Sequence, residues 1–333
     1  MNKRERVISA LQHRQPDETP YHIEFTLPVK EKLERHYQTA DLNKAIGNYF
    51  LRLRTAFAWQ ELKPGFWQDG FGVVWDRSID KDIGNPVDFI LADKNKLDKY
   101  SFPEIKPELF QDIPKINAEN KEGLFTLYSI GFSLFERAWA LRGMENLFLD
   151  MVADPPFVEA LLDRITDFNL RLVDEAFKFP VQMVFFGDDY GQQRGLLMGP
   201  KYWRKYIKPR LAKVYGKVKA KGLFVGIHTC GDIEEILPDL IEIGVDLYNP
   251  FQPEVTDIYR IKKEYGGRLS FFGGLSTQRV LPFGTPEDVG KEVKRLIREI
   301  GAGGGYILAP AHATPKDVPL ENVLAMIETV QNQ

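Results

Sequence analysis

The sequence predicts a (β/α)8 barrel, and two observations carry that reading. From about residue 124 onward, short apolar runs that end in polar residues or glycine alternate with amphipathic helical segments. The runs are apolar nearly throughout, the pattern of parallel strands buried on both faces beneath helices. No G-x-G-x-x-G or P-loop signature follows any run, so the nucleotide-binding form of an open doubly wound sheet has no support and stands only as the alternative architecture.

Taken in order, "NKRERVISALQ" has apolar residues at helical i, i+3, i+4 spacing, "DETPYHIEFT" reads as a turn feeding a short strand, and "LPVKEKLERHY" as a second helix. The segment "QDGFGVVWDRSIDKDIGNPVDFIL" mixes Gly and Asp with aromatic and β-branched residues, which predicts a hairpin or a long ordered loop that caps the barrel. The strand runs follow: "LFTLYSIG" (124–131), "VQMVFFGDD" (181–189), "LFVGIHTCG" (223–231), "VDLYNPF" (245–251), "LSFFGGLS" (269–276) and "GYILAPAH" (305–312). Between them lie helical stretches such as "PKYWRKYIKPRLAKVYGKVKAKG" and "TPEDVGKEVKRLIREIGAGG". With "YHIEFT" these make seven strands, and the eighth is expected in the irregular first half.

Composition narrows the function classes. A chain of 333 residues suits one barrel domain over 1–333, with residues 1–120 carrying the N-terminal helices and the capping hairpin or loop. The net charge is −3 and no run of five like charges occurs, which argues against nucleic acid as partner. No apolar run reaches the roughly 18 to 20 residues that span a bilayer, so no membrane association is expected. The N-terminal segment lacks the apolar core of a secretory signal, and a single cysteine cannot form an internal disulfide. A cytoplasmic protein is the expectation.

Barrel active sites gather at the C-terminal ends of the strands. The polar residues of this chain fall there: Glu24, Asp188 and Asp189, His228 and Cys230, Asn249, Ser276 and His312. His228 and Cys230 are two apart on one strand face. Three readings fit that spacing: a packed cysteine beside a hydrogen-bonded histidine, two ligands of a metal site completed by His312, or a Cys–His dyad. Adjacent Asp188 and Asp189 point in opposite directions, so one of them faces the mouth as a catalytic or orienting carboxylate while the other reads as a turn cap. Gly273 and Gly274 mark a close backbone approach to a ligand or a sharp bend.

Five stretches, "RERVISALQHRQPDETP", "DGFGVVWDRSIDKDIGNPV", "GDDYGQQRGLLMGPKYWRKYIKPRL", "HTCGDI" and "ILAPAHATPKDVPLENVLAMIE", together resemble the uroporphyrinogen decarboxylase superfamily across nearly the whole chain. The resemblance implies a (β/α)8 barrel and one of two activities, decarboxylation of a tetrapyrrole's acetate arms or corrinoid-dependent methyl transfer with zinc. The decarboxylases carry an arginine-rich loop after the first strand; here "YHIEFTLPVKEK" has no arginine before Arg35. The methyltransferases carry an H-x-C matched by His228 and Cys230, with a cysteine where this chain has His312. The resemblance therefore favours a methyltransferase acting on a small methylated substrate. Its Zn2+ would be held by His228, Cys230 and His312, with Glu24 as a further candidate, and its corrinoid supplied by a partner protein. Asp188, Asp189 and His312 are the catalytic candidates, and Glu24, Asn249, Ser276, Gly273 and Gly274 the substrate-binding ones. A homodimer is a second expected assembly. The rival expectations are a metal-independent decarboxylase or lyase using the Asp pair and His312, and a non-catalytic tetrapyrrole- or corrinoid-binding protein.

Overall fold

The computed structural model describes residues 1–55, 57–79 and 84–333. Seven parallel strands form one sheet whose spatial order follows the chain: β1 (Phe50–Arg54), β2 (Phe125–Ile130), β3 (Met183–Gly187), β4 (Phe224–His228), β5 (Leu247–Phe251), β6 (Ser270–Leu275) and β7 (Tyr306–Pro310). Six of these are the apolar runs of the sequence. Every residue of β5, β6 and β7 is buried, because helices such as Pro155–Ala176, Lys208–Ala220 and Pro286–Glu299 cover the outside and side chains fill the inside. The Phe50 ring lies 5.8 Å from Phe125 and 5.3 Å from Phe272 inside the sheet. The curled parallel sheet with its helices is the predicted TIM-barrel type of α/β fold.

The eighth stave is the segment around residues 21–25, and "YHIEFT" pairs there by isolated bridges to the far end of the sheet. His22 N donates to Leu308 O at 3.0 Å, Leu308 N to Pro20 O at 2.8 Å, and Thr314 N to Glu24 O at 2.8 Å. On its other flank a side chain substitutes for a strand. Asn48, 1% exposed, accepts from Ile23 N at 2.8 Å and donates to Ile23 O at 3.0 Å. One primary amide thus satisfies both backbone groups of Ile23, which burial would otherwise leave unpaired. The strand that the sequence left unassigned in its first half is β1, "FLRLR".

The expected hairpin is part of a four-stranded antiparallel sheet, Trp59–Lys63, Phe66–Asp69, Val74–Asp76 and Asn85–Asp88. Residues 80–83 of that segment lie outside the described residues. Asp69 anchors this sheet. Its carboxylate accepts from Phe71 N at 2.9 Å, Val73 N at 3.0 Å and Trp75 Nε1 at 3.2 Å, and pairs with Arg137 Nη1 at 3.0 Å. Both partners of the ion pair are buried, and the Arg137 guanidinium lies 3.6 Å from the centre of the Phe71 ring. Arg137 belongs to the helix Phe135–Arg142 that follows β2, so the pair ties the added sheet to the barrel rim. Among the described residues, no helix is long and apolar enough to cross a membrane.

Replacing Asn48 with alanine removes both bonds to Ile23. The expected loss is about 2 to 4 kcal/mol of unfolding free energy, since each buried polar group left unpaired costs about 1 to 3 kcal/mol. Urea unfolding followed by circular dichroism checks this, and an unchanged midpoint would mean that Asn48 does not hold the seam.

Candidate metal centre at the barrel mouth

His228 ends β4, and its register partner on β5 is Asn249. Asn249 Nδ2 donates to Phe272 O at 2.9 Å, which turns its Oδ1 toward His228 Nδ1 at 2.6 Å. The amide oxygen can only accept, so Nδ1 carries the imidazole proton and Nε2 presents a lone pair. That lone pair faces Cys230 Sγ at 3.4 Å. His312 follows β7 by two residues, and its ring lies 5.7 Å from that of His228 at an interplanar angle of 71°. One ligand atom from each of His228, Cys230 and His312 falls within 4.8 Å of the others. A tetrahedral zinc ion with bonds of about 2.0 to 2.3 Å needs donors roughly 3.3 to 3.8 Å apart, so the set fits such an ion after a small inward closure. Burial, and after it the nearby Asp189 carboxylate, pushes the Cys230 thiol up; a bound dication reverses that preference.

The paired aspartates divide as their alternation predicts. Asp189 Oδ1 accepts from Cys230 N at 2.8 Å and lies 3.9 Å from His228 Nε2, so Asp189 belongs to the mouth. Asp188 turns away into the protein. Its carboxylate accepts from Leu134 N at 3.2 Å, Phe135 N at 2.8 Å, Glu136 N at 2.6 Å and the Tyr190 hydroxyl at 2.9 Å. It is the cap of the Phe135–Arg142 helix, where three free N–H groups and the helix dipole favour an anion. Four donors thus occupy the two oxygens of Asp188, which caps this helix from the end of β3.

Three further groups at the mouth escaped the sequence reading. His22 sits beside Glu24, its Nε2 3.6 Å from Glu24 Oε1, and Arg52 Nη2 pairs with the same oxygen at 3.0 Å. Desolvation works against the charged carboxylate of Glu24, but Arg52 and then His22 outweigh it and hold the group well below the usual carboxylate range. Burial pushes Glu136 in the opposite direction, reinforced by Asp188 and Asp189, so its carboxyl is raised well above the ordinary value. His22 and Glu24 alternate on one face of "YHIEFT", as Arg52 and Arg54 do on β1. That i, i+2 spacing was the available signal. Glu24, His22, Arg52, His228, Asn249 and His312 share the wall of one cavity of about 280 Å3.

Ser276, Gly273 and Gly274 lie elsewhere. Ser276 Oγ accepts from Arg279 N at 2.9 Å and donates to the Glu254 carboxylate, which makes it a turn cap rather than a substrate contact. A Cβ on Gly273 would meet Phe251 N at 2.6 Å, and one on Gly274 would meet the Tyr306 hydroxyl at 2.9 Å, with φ of +135° and +97°. The bend and the neighbouring strands require both glycines, and no ligand approach is needed to explain them.

Substituting alanine for Asp188 uncovers three helix N–H groups and a buried phenol. The expected cost is on the order of 3 kcal/mol or more, measured as a shift in thermal or urea midpoint. If stability were unchanged while activity fell, the capping role would be wrong.

Comparison with known proteins places this geometry in a family. The family described as uroporphyrinogen decarboxylase (URO-D) matches residues 82–333. A methylated-thiol–coenzyme M methyltransferase of Methanosarcina mazei is 22% identical over 206 residues, 62% of this chain and 53% of that protein. A uroporphyrinogen decarboxylase of Serratia proteamaculans is 24% identical over 233 residues, 69% of this chain and 62% of that one. The chain therefore spans less than two thirds of the length of these relatives. The solved structure of a methyltransferase from Methanosarcina mazei superposes with a TM-score of 0.75 at 18% identity, covering 100% of this chain and 99% of the other, and that likeness establishes the shared fold. By the match over residues 82–333, the chain is a member of the uroporphyrinogen decarboxylase family.

Proposed function

We propose that the chain is a zinc- and corrinoid-dependent methyltransferase acting on a small methylated substrate, with a corrinoid protein as its partner. The observation that carries this reading is the convergence of His228, Cys230 and His312 within 4.8 Å, with the His228 tautomer set by Asn249. The family holds both methyltransferases and decarboxylases among its relatives. The placement of Asp188 favours the former, because a carboxylate occupied by four donors is not available to a metal-free Asp pair.

When bound, zinc supplies Lewis acidity to the substrate heteroatom that bears the methyl group. His228 and Cys230, both from the end of β4, and His312 would hold it. Asn249 keeps the His228 Nε2 lone pair exposed, and Asp189 fixes the Cys230 backbone by accepting its N–H. Glu24 stays ionised between Arg52 and His22 and is a further candidate ligand for the ion. The partner's reduced corrinoid would supply the nucleophile that accepts the methyl group, and the residues of the mouth would hold the substrate heteroatom toward the ion.

Two outcomes check the proposal. Purified protein should hold one zinc per chain by elemental analysis, and Cys230→Ser should lose it. Methyl transfer to cob(I)alamin, followed by its visible spectrum, should fall by at least about 100-fold when His228 is replaced by alanine. Transfer at the wild-type rate by chelator-treated protein would sink the metal reading. Asn249→Ala should weaken zinc affinity by about 10- to 100-fold, as loss of a hydrogen bond to a ligating imidazole does, with the fold unchanged by circular dichroism.

A further inference from the structure

A second cavity, also of about 280 Å3, adjoins the mouth and shares Arg52, Ser129 and Gly131 with it. Its walls are mostly apolar, and its charge comes from β1. In "FLRLR" the Phe50 ring packs against Phe125 and Phe272 inside the barrel, so the strand period places Arg52 and Arg54 on the same inner face, nearer the mouth. Among the described residues three arginines line this cavity, and no carboxylate does. Arg137 is neutralised by Asp69 at 3.0 Å, and Arg52 by Glu24 at 3.0 Å with Ser129 Oγ at 3.1 Å. The Arg54 side chain has no hydrogen bond, ion pair or ring contact among the described residues. Those residues thus leave the cavity with one positive charge that no ion pair compensates. A ring cluster faces it, with Phe57 and Phe71 at 5.2 Å and Phe71 and Phe168 at 5.4 Å.

We infer that this cavity binds the carboxylate of a small acid, with Arg54 as the anion-binding residue and the phenylalanine cluster receiving a flat apolar body. One unpaired guanidinium matches a single negative charge, and its planar fork suits a carboxylate bidentately. The inference deepens the proposed methyl transfer by giving its substrate class: a methylated acid of about one ring in size, whose head is held at Arg54 while its methyl-bearing end reaches the mouth past Arg52. The carboxylate pocket itself depends on β1 and its cavity, and zinc plays no part in it.

The test is titration calorimetry of the full chain with 3-methoxybenzoate and with its neutral counterpart 3-methoxybenzamide. Each titration is run on zinc-loaded and on chelator-treated protein. The acid should bind at least about ten-fold more tightly than the amide, and Arg54→Gln should remove that preference while Arg54→Lys retains part of it. Arg54 is exposed, so the variants should keep the wild-type melting temperature. If chelator-treated protein binds the acid through Arg54 yet no preparation transfers a methyl group, the pocket stands and the transfer proposal falls. If zinc-loaded, transfer-competent protein binds acid and amide alike, or Arg54→Gln binds the acid as wild type does, the pocket falls. Failure of wild-type protein to bind the acid at about 10 mM would also overturn it.

Discussion

The hydrogen bond from His228 Nδ1 to Asn249 Oδ1, 2.6 Å long, sets the chemistry of the barrel mouth. It depends in turn on the parallel register that places the ends of β4 and β5 side by side, and on Phe272 O of β6, which takes the other end of the same amide. Three adjacent strands therefore cooperate to fix one proton. Without that arrangement the imidazole is free to protonate Nε2, and the lone pair that faces Cys230 and His312 disappears. The direction of one imidazole lone pair is thus a property of the sheet, and a rigid barrel is a good support for it.

The acids and bases of this chain divide by what their neighbours need. Asp69 and Asp188 each gather backbone N–H groups and side-chain donors deep in the protein, and both brace the helix Phe135–Arg142, one from the added sheet and one from the end of β3. Glu24 and Asp189 stay at the mouth with fewer partners. Buried carboxylates must be satisfied by donors, and those that are fully satisfied have little left to offer a reactant. The same division separates Arg137, paired inside, from Arg54, unpaired beside the cavity.

Much of this was legible in the residues. The apolar runs identified six of the seven strands of the sheet because burial on both faces leaves no room for polar alternation. The H-x-C spacing put His228 and Cys230 on one face, and the terminal run put His312 at the same end. The strand β1 was not legible, because two arginines in five residues resemble a solvated segment until one knows that their face opens into the mouth. The role of Asp188 was hidden for a different reason. The helix it caps begins 53 residues earlier in the chain, and no local pattern encodes a contact across that distance. The added antiparallel sheet was legible only as a hairpin or loop, because its outer strands are short and exposed and so lack a clear hydrophobic period.

The seam at Asn48 gives the barrel a weak direction. Between the seven strands of the sheet, parting two neighbours means breaking a ladder of backbone bonds, whereas on the Asn48 side the eighth stave is held by side chains: Asn48 on Ile23, Tyr21 on Ile46 O and the Arg52–Glu24 pair. A groove of about 790 Å3 runs along that seam and reaches His22, Glu24 and Arg52. Local opening takes the least stable path available to a fold, and a seam held by side chains beside these three residues offers such a path. In amide exchange terms, the Ile23 N–H depends on one side chain, whereas the N–H groups of β4 and β7 are held by neighbouring backbone.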